Sequence, residues 1–219
     1  MRRAASFTAS TKFACSSFTR NSGKTIETVI AEAKFGPVGT FAYSNLNYQL
    51  LGRIIEKASG TPYADFVHER IFVPAGMKTA SARSEAPNEH VDGHQYMFGF
   101  PQSRGEPDYN PVAIPSMFIW MSAEDMVQWI RLFTARGKVG DKQVFPAELF
   151  DKLLEKPADS DYAMGWLYQS GGPAFAKHTG VTGSYTSAMA VMPEREFGVF
   201  VLTTLNSWMG LAPTNILNG

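Results

Sequence analysis

Two short clusters hold the side chains best suited to chemistry. Tyr43-Ser44-Asn45 stands directly before a helical pattern, and His178-Thr179-Gly180 closes a strand pattern much later in the chain. A phenol beside a helix N-terminus sits where the backbone dipole favours its anion. Free tyrosine ionises near pH 10 and is a poor base at neutrality. A neighbouring cation and helix N–H groups would be needed to bring Tyr43 into range for proton transfer. In the second cluster, Gly180 lets a substrate approach the backbone edge, and the next N–H, that of Val181, can point at a developing oxyanion. Each cluster also has a plain structural reading. Ser44 and Asn45 are good helix caps, and a His-Thr-Gly run commonly carries a strand into a turn. The two together, in this order, are a stronger signal than either alone.

Other candidates weigh less. His90 and His94 are four apart, but Gly93 and the surrounding turn residues argue against a helical metal pair, and acidic neighbours do not complete a tetrahedral set. His68-Glu69 lacks the second histidine of a zincin motif. Cys15 is the single cysteine, so no internal disulfide and no complete thiolate metal site exists. No metal and no other cofactor is expected. Trp120, Trp129, Trp166 and Trp208 read as core residues.

The composition is that of an ordinary globular chain: 219 residues, 44% hydrophobic and 18% charged. Lys plus Arg is 20 and Asp plus Glu is 20, a balance that gives no electrostatic footprint for nucleic acid. No apolar run is long enough to cross a bilayer. After Arg2-Arg3 the chain is polar and interrupted by Lys12, without the apolar core of a signal peptide.

The elements that must position the clusters follow from periodicity. Residues 1–35 are Ser-, Thr- and Ala-rich and read as an irregular remnant, ending near the turn signal Gly36–Thr40. A helix starts at Ser44 or Asn45 and ends at Gly60, with Tyr48, Leu51, Ile55 and Ala58 on one stripe, widened by Leu50 and Ile54. A second begins at Thr61-Pro62, with Pro62 at its first helical position, and turns Tyr63, Phe66 and Val67 inward. Residues 78–121 are dense in Gly, Pro and aromatics and read as a long loop lining a site. Ser122-Ala123-Glu124-Asp125 caps a third helix through Trp129, Ile130 and Phe133, ending at Gly137. A fourth runs from about Pro146 to Lys156. The period then changes to two, giving strands over 163–168, 174–178, 185–192 and 198–204, with Pro193–Glu196 as the last turn. Helices followed by an antiparallel meander make the class α+β. The domain expected over 36–219 has a mainly helical lobe to residue 160, an antiparallel sheet over 161–206 and the start of a terminal helix over 207–219.

The chain resembles the serine hydrolases related to class C β-lactamases, D-Ala-D-Ala carboxypeptidases and family VIII esterases. The residues that carry the resemblance are Phe41 to Gly52 with Pro74 to Met77, Ser122 to Met126, Tyr162-Ala163-Met164-Gly165-Trp166, and His178 to Ser184 leading to Phe197–Leu202. The resemblance implies an antiparallel sheet flanked by helices and an acyl-enzyme mechanism on a small-molecule ester, β-lactam or D-Ala-D-Ala-type peptide. The family's Tyr-x-Asn motif matches Tyr43 and Asn45, and its third motif matches His178, Thr179 and Gly180. By that match Tyr43 relays the proton, Asn45 orients the substrate and the lysine partner of the nucleophile, and His178 supplies polarity beside Tyr43. Thr179, Gly180 and Val181 bind the substrate.

One motif departs. The family nucleophile is the serine of Ser-x-x-Lys, and no lysine of this chain has serine three positions before it. Ser10-Thr11-Lys12 is one residue short. No Gly-x-Ser-x-Gly elbow exists either. Phe18-Thr19-Arg20-Asn21-Ser22-Gly23 resembles a family loop that lies downstream of the nucleophile. The expectation is therefore a partial chain that begins after its catalytic serine, stops inside a terminal helix, and is inactive alone. A non-catalytic relative that binds a peptide or cell-wall fragment is the alternative, and a working enzyme using Ser10 is a third. Met117 stands where relatives carry glycine, which puts the width of the site in question. The family resemblance suggests an exported or membrane-associated parent.

Overall fold

The computed structural model describes residues 25–32, 41–83, 85–97, 99–104, 111–158, 160–169 and 175–206. The expectations for Ser10, Cys15, the Gly36–Thr40 turn, Trp208 and the terminal helix lie outside these residues.

A short helix α1 (Ile26–Glu32) precedes the long helix α2 (Asn45–Ser59). Gly60 closes α2 at φ 71°, its N–H donating to the Glu56 carbonyl at 2.9 Å. That left-handed cap suits glycine because no Cβ is strained by it. Ser44 takes the N-cap position with extended backbone but makes no side-chain cap bond. The inward stripe of α2 differs from the expected one. Gln49 and Gly52 are buried, whereas Leu51 and Ile54 are 51% and 59% exposed. The reason is the neighbour: a 3-10 turn, Pro111–Ser116, packs so closely that a Cβ on Gly52 would lie 2.2 Å from Pro115 Cγ. The helix presents its smallest residue there and turns Leu51 outward.

Helix α3 (Tyr63–Val67) has Pro62 as its N-cap, one position earlier than expected, and runs on into a π-helical turn, His68–Phe72. Val67 and Phe72 are buried, and Tyr63 and Phe66 are half-buried. The stretch expected to be loop carries strands β1 (His94–Met97) and β2 (Phe100–Ser103), an antiparallel hairpin turning at Gly99, φ 84°. Helix α4 (Ala123–Thr134) starts at the expected cap, Ser122 Oγ accepting from Asp125 N–H at 3.2 Å. A small hairpin, β3 (Lys138–Val139) and β4 (Lys142–Gln143), turns at Gly140-Asp141. Helix α5 (Ala147–Leu153) is shorter than its expected span.

The remaining strands form the main sheet. β5 (Leu167–Gln169), β6 (Phe175–Val181), β7 (Thr186–Met192) and β8 (Phe197–Thr203) lie in chain order, each antiparallel to the next. Two boundaries move. The first strand begins at Leu167, because Ala163–Trp166 is a turn with Gly165 at φ 90°. The second continues through Thr179 and Gly180 to Val181, so His178-Thr179-Gly180 lies within a strand and not at its end. β9 (Leu205–Asn206) pairs parallel to β1, tying the hairpin to the end of the sheet.

Helix α4 lies on β7 and β8, where a Cβ on Gly198 would meet Ile130 Cγ2 at 2.3 Å. Phe133 centres the core, with ring centroids 4.7 Å from Trp166 and 5.1 Å from Phe150. Trp166 and Val191 are buried against it. The architecture is the α+β class that the sequence indicates, an antiparallel sheet with flanking helices.

Candidate active site

The start of α2, the Pro111–Ser116 turn, the turn before β5, and β6 meet around a cleft of about 280 Å³. Tyr43, Asn45 and His178 all line it. Tyr43 lies two residues before the first turn of α2, and its phenol donates to Asn45 Oδ1 at 3.0 Å. His178 reaches the cleft from the sheet. Side chains alternate along a strand, and His178 faces the same way as its cross-strand partner Met189, which also lines the cleft. Burial pushes the His178 imidazole below its usual value, since its charged form loses water.

Thr179, Gly180 and Val181 do not line the cleft themselves; they continue the same strand beyond His178. The hydrogen-bonding alternation of the β6–β7 pair shows where the Val181 amide points. Thr182 N–H donates to the Tyr185 carbonyl at 2.9 Å. Opposed residues alternate between bonded and non-bonded pairs. The neighbouring pair Val181–Thr186 is therefore non-bonded, and the Val181 N–H faces away from β7. On that side β5 pairs no further than Lys177. Gly180 has a cross-strand reason to be glycine: a Cβ there would lie 2.7 Å from Ser187 Oγ. The turn after β6 is fixed from behind. Thr182 Oγ1 accepts from Tyr185 N–H at 3.0 Å, and Asn206 Nδ2 donates to the Thr182 carbonyl at 2.7 Å.

Several cleft residues carried no site reading in the sequence. Tyr162 follows Asp161 on the turn before β5, and its ring lies edge-on to Tyr43 at 5.6 Å and tilted against Phe41 at 5.3 Å. Its hydroxyl is buried, faces the Tyr48 phenol and makes no hydrogen bond of proper geometry; burial drives its pKa up. Tyr48, read as a core residue, lines the cleft beside it. Ser116 is the serine of the described lining. Its hydroxyl donates to the Ala113 carbonyl at 2.9 Å and accepts from Gln49 Nε2 at 3.2 Å. No lysine stands in the described lining. The spacing of Gln49 one helical turn after Asn45 is the one signal that links it to the site.

Met117, which left the width of the site in question, is not part of the described cleft lining. Phe118, not Met117, takes the left-handed conformation, at φ 66°. A side chain is held there at a steric cost that glycine would avoid. Asp125 clamps a different segment, residues 78–79. Its buried carboxylate accepts from Lys78 N–H at 2.7 Å, from Thr79 N–H at 3.0 Å and from the Thr79 hydroxyl.

His90 and His94 are bound to different partners: His90 Nδ1 to the Pro87 carbonyl at 2.9 Å, and His94 Nδ1 to the Thr204 carbonyl at 3.3 Å. Among the described residues no group of acidic, histidine or cysteine side chains is arranged to hold a metal ion. No described helix is long and apolar enough to cross a membrane.

Comparison with known proteins fits this geometry. The chain is 28% identical over 190 residues to the D-alanyl-D-alanine-carboxypeptidase/endopeptidase AmpH of Escherichia coli K12, a match covering 80% of this chain and 48% of that protein. It is 25% identical over 183 residues to protein flp of Staphylococcus aureus MW2, covering 78% of this chain and 34% of that one. The chain thus spans less than half the length of these curated relatives. Among solved structures it superposes on the octameric penicillin-binding protein homologue of Pyrococcus abyssi with a TM-score of 0.72 and 26% identity, over 88% of this chain and 46% of that one. A class C β-lactamase of Rhodobacter sphaeroides shares the fold at TM-score 0.68 and 19% identity, over 83% of this chain and 60% of that one. The β-lactamase family profile matches residues 21–218, through both the Tyr43 and the His178 clusters. By that match, and by the fold that brings these clusters to one cleft, the chain belongs to the β-lactamase family.

Proposed function

We propose that these residues form the substrate-recognising side of a serine-hydrolase cleft for an ester, β-lactam or D-Ala-D-Ala-type amide, and that the 219 residues alone bind such a carbonyl compound without turning it over. The observation that carries this reading is the cleft itself. Tyr43, Asn45 and His178 line it together, while its described serine, Ser116, bonds to Gln49 and Ala113 and no lysine stands beside it.

Where an attacking hydroxyl is supplied, the Tyr43 phenol would pass its proton on to the leaving group. Asn45, already oriented by its bond to Tyr43, holds the substrate amide or ester in register. The Val181 N–H, facing the open side of β6, receives the carbonyl oxygen as it gains charge. His178, neutral at pH 7 because burial disfavours its cation, contributes a polar contact and not a charge. None of these groups forms the acyl bond. A hydroxyl activated by an adjacent amine does that, and the family's Ser-x-x-Lys pair is absent from the sequence.

The test is a paired assay. Trp129 and Trp166 line the cleft, so their fluorescence should change saturably with a D-Ala-D-Ala peptide or an ester analogue. Nitrocefin and p-nitrophenyl esters should be consumed at the buffer rate. Absence of any saturable change would remove the reading, and turnover above buffer that survives removal of trace contaminants would remove its inactive part.

A further inference from the structure

The charge and polarity of the cleft lining bear on which of those carbonyl compounds fits. Much of the surface is aromatic or thioether: Tyr43, Tyr48, Trp129, Tyr162, Met164 and Met189. The polar groups are those of Asn45, Ser116 and His178 and the neutral phenol hydroxyls of Tyr43, Tyr48 and Tyr162. No Lys, Arg, Asp or Glu stands in the described lining. Met164 is 56% exposed and forms part of the rim, so the thioether surface reaches the mouth. A carboxylate moved from water into such a place loses its hydration and gains no countercharge, a cost that buried anions escape only by pairing. Neutral apolar groups instead gain from the contact area.

Two observations sharpen this. His178 is the one titratable group of the lining that becomes cationic near neutral pH, and burial holds it in the neutral form. The hydroxyl of Ser116 already has an acceptor in Ala113 and a donor in Gln49, so it is not held ready to receive an anion.

From this lining we infer that the portion of the ligand seated between Tyr43 and His178 is uncharged and apolar, an aryl or branched alkyl ester or amide, and that the cleft discriminates against a carboxylate there. This rests on the proposed function above and narrows it: of the compounds considered, neutral esters and amides fit the lining, and a free C-terminal carboxylate does not.

The test uses a matched pair of ligands on the full chain, phenylacetyl-D-Ala-D-Ala and its C-terminal carboxamide. They differ in one charge and share the aryl group. Titration followed by tryptophan fluorescence gives both affinities. The carboxamide should bind at least about tenfold more tightly than the acid. The variant Met164→Lys, placed at the exposed rim where a new cation needs no burial, should narrow or reverse that ratio. Equal affinities for the pair, or tighter binding of the acid by the unaltered chain, would overturn the inference while leaving the proposed function standing. An unchanged ratio in Met164→Lys would also count against it. Binding of neither ligand would bring down the proposed function, and this inference with it.

Discussion

Burial of His178 ties stability to pH. Its imidazole is pushed below the ordinary value near 6.5, so between those two values the unfolded chain binds more protons than the folded one. Stability from this residue is therefore full above about pH 6.5 and is lost as pH falls through the window beneath it. Urea melts at pH 7.5 and pH 5.5 should show a loss on acidification that shrinks in His178→Gln; an identical loss in both proteins would contradict the assignment. Asp125 acts on stability through hydrogen bonds. Its carboxylate is 2% exposed and holds two backbone N–H groups of the segment 78–79 as well as the Thr79 hydroxyl. Asp125→Ala should cost about 2 kcal/mol, because a buried acceptor of several donors is removed, while Asp125→Asn keeps one acceptor oxygen and should cost less. Chemical denaturation of the two variants gives the comparison, and equal stability of Asp125→Ala and the unaltered chain would show that the bonds carry nothing.

At the scale of elements, the contact between α2 and the Pro111–Ser116 turn decides the shape of the cleft. Gly52→Ala would gain helix propensity, worth about 0.5–1 kcal/mol. Against that, its Cβ would stand 2.2 Å from the Pro115 ring, and overpacking of this kind costs about 1–3 kcal/mol. A net loss is expected, together with weaker ligand binding, since Pro115 and Ser116 line the cleft. A stabilised variant with unchanged binding would show that the turn yields without consequence. The same contact explains what the sequence did and did not disclose. The start and end of α2, the cap of α4 and the meander β6–β7–β8 were legible, because Ser122, Gly60 and period-two alternation act locally. The buried face of α2 was not, because a helical stripe of Leu51 and Ile54 says which residues are apolar and not which of them a neighbour covers. The β1–β2 hairpin gives no strand signal in the sequence: its four-residue strands are short, and β1 finds part of its pairing in distant β9. Tyr43, Asn45 and His178 lie in two motifs that the sequence shows, and the fold brings them to one cleft. Tyr162 and Ser116 reach the same cleft through chain folding, which no spacing rule discloses.

For the whole molecule, the four-stranded sheet of the described residues ends at β8, where Phe197 and Leu202 are about half exposed at 50% and 46%. Phe41, Leu51 and Ile54 expose apolar surface on the helical side. The cleft holds a phenol, an amide and an imidazole, while its described lining joins no serine to an amine. The most direct measurement is intact-mass analysis of the purified 219-residue chain after incubation with excess benzylpenicillin and, separately, with an activated aryl ester. The account predicts an unmodified mass in both. A stoichiometric acyl adduct, mapped by peptide digestion to a single serine, would contradict it.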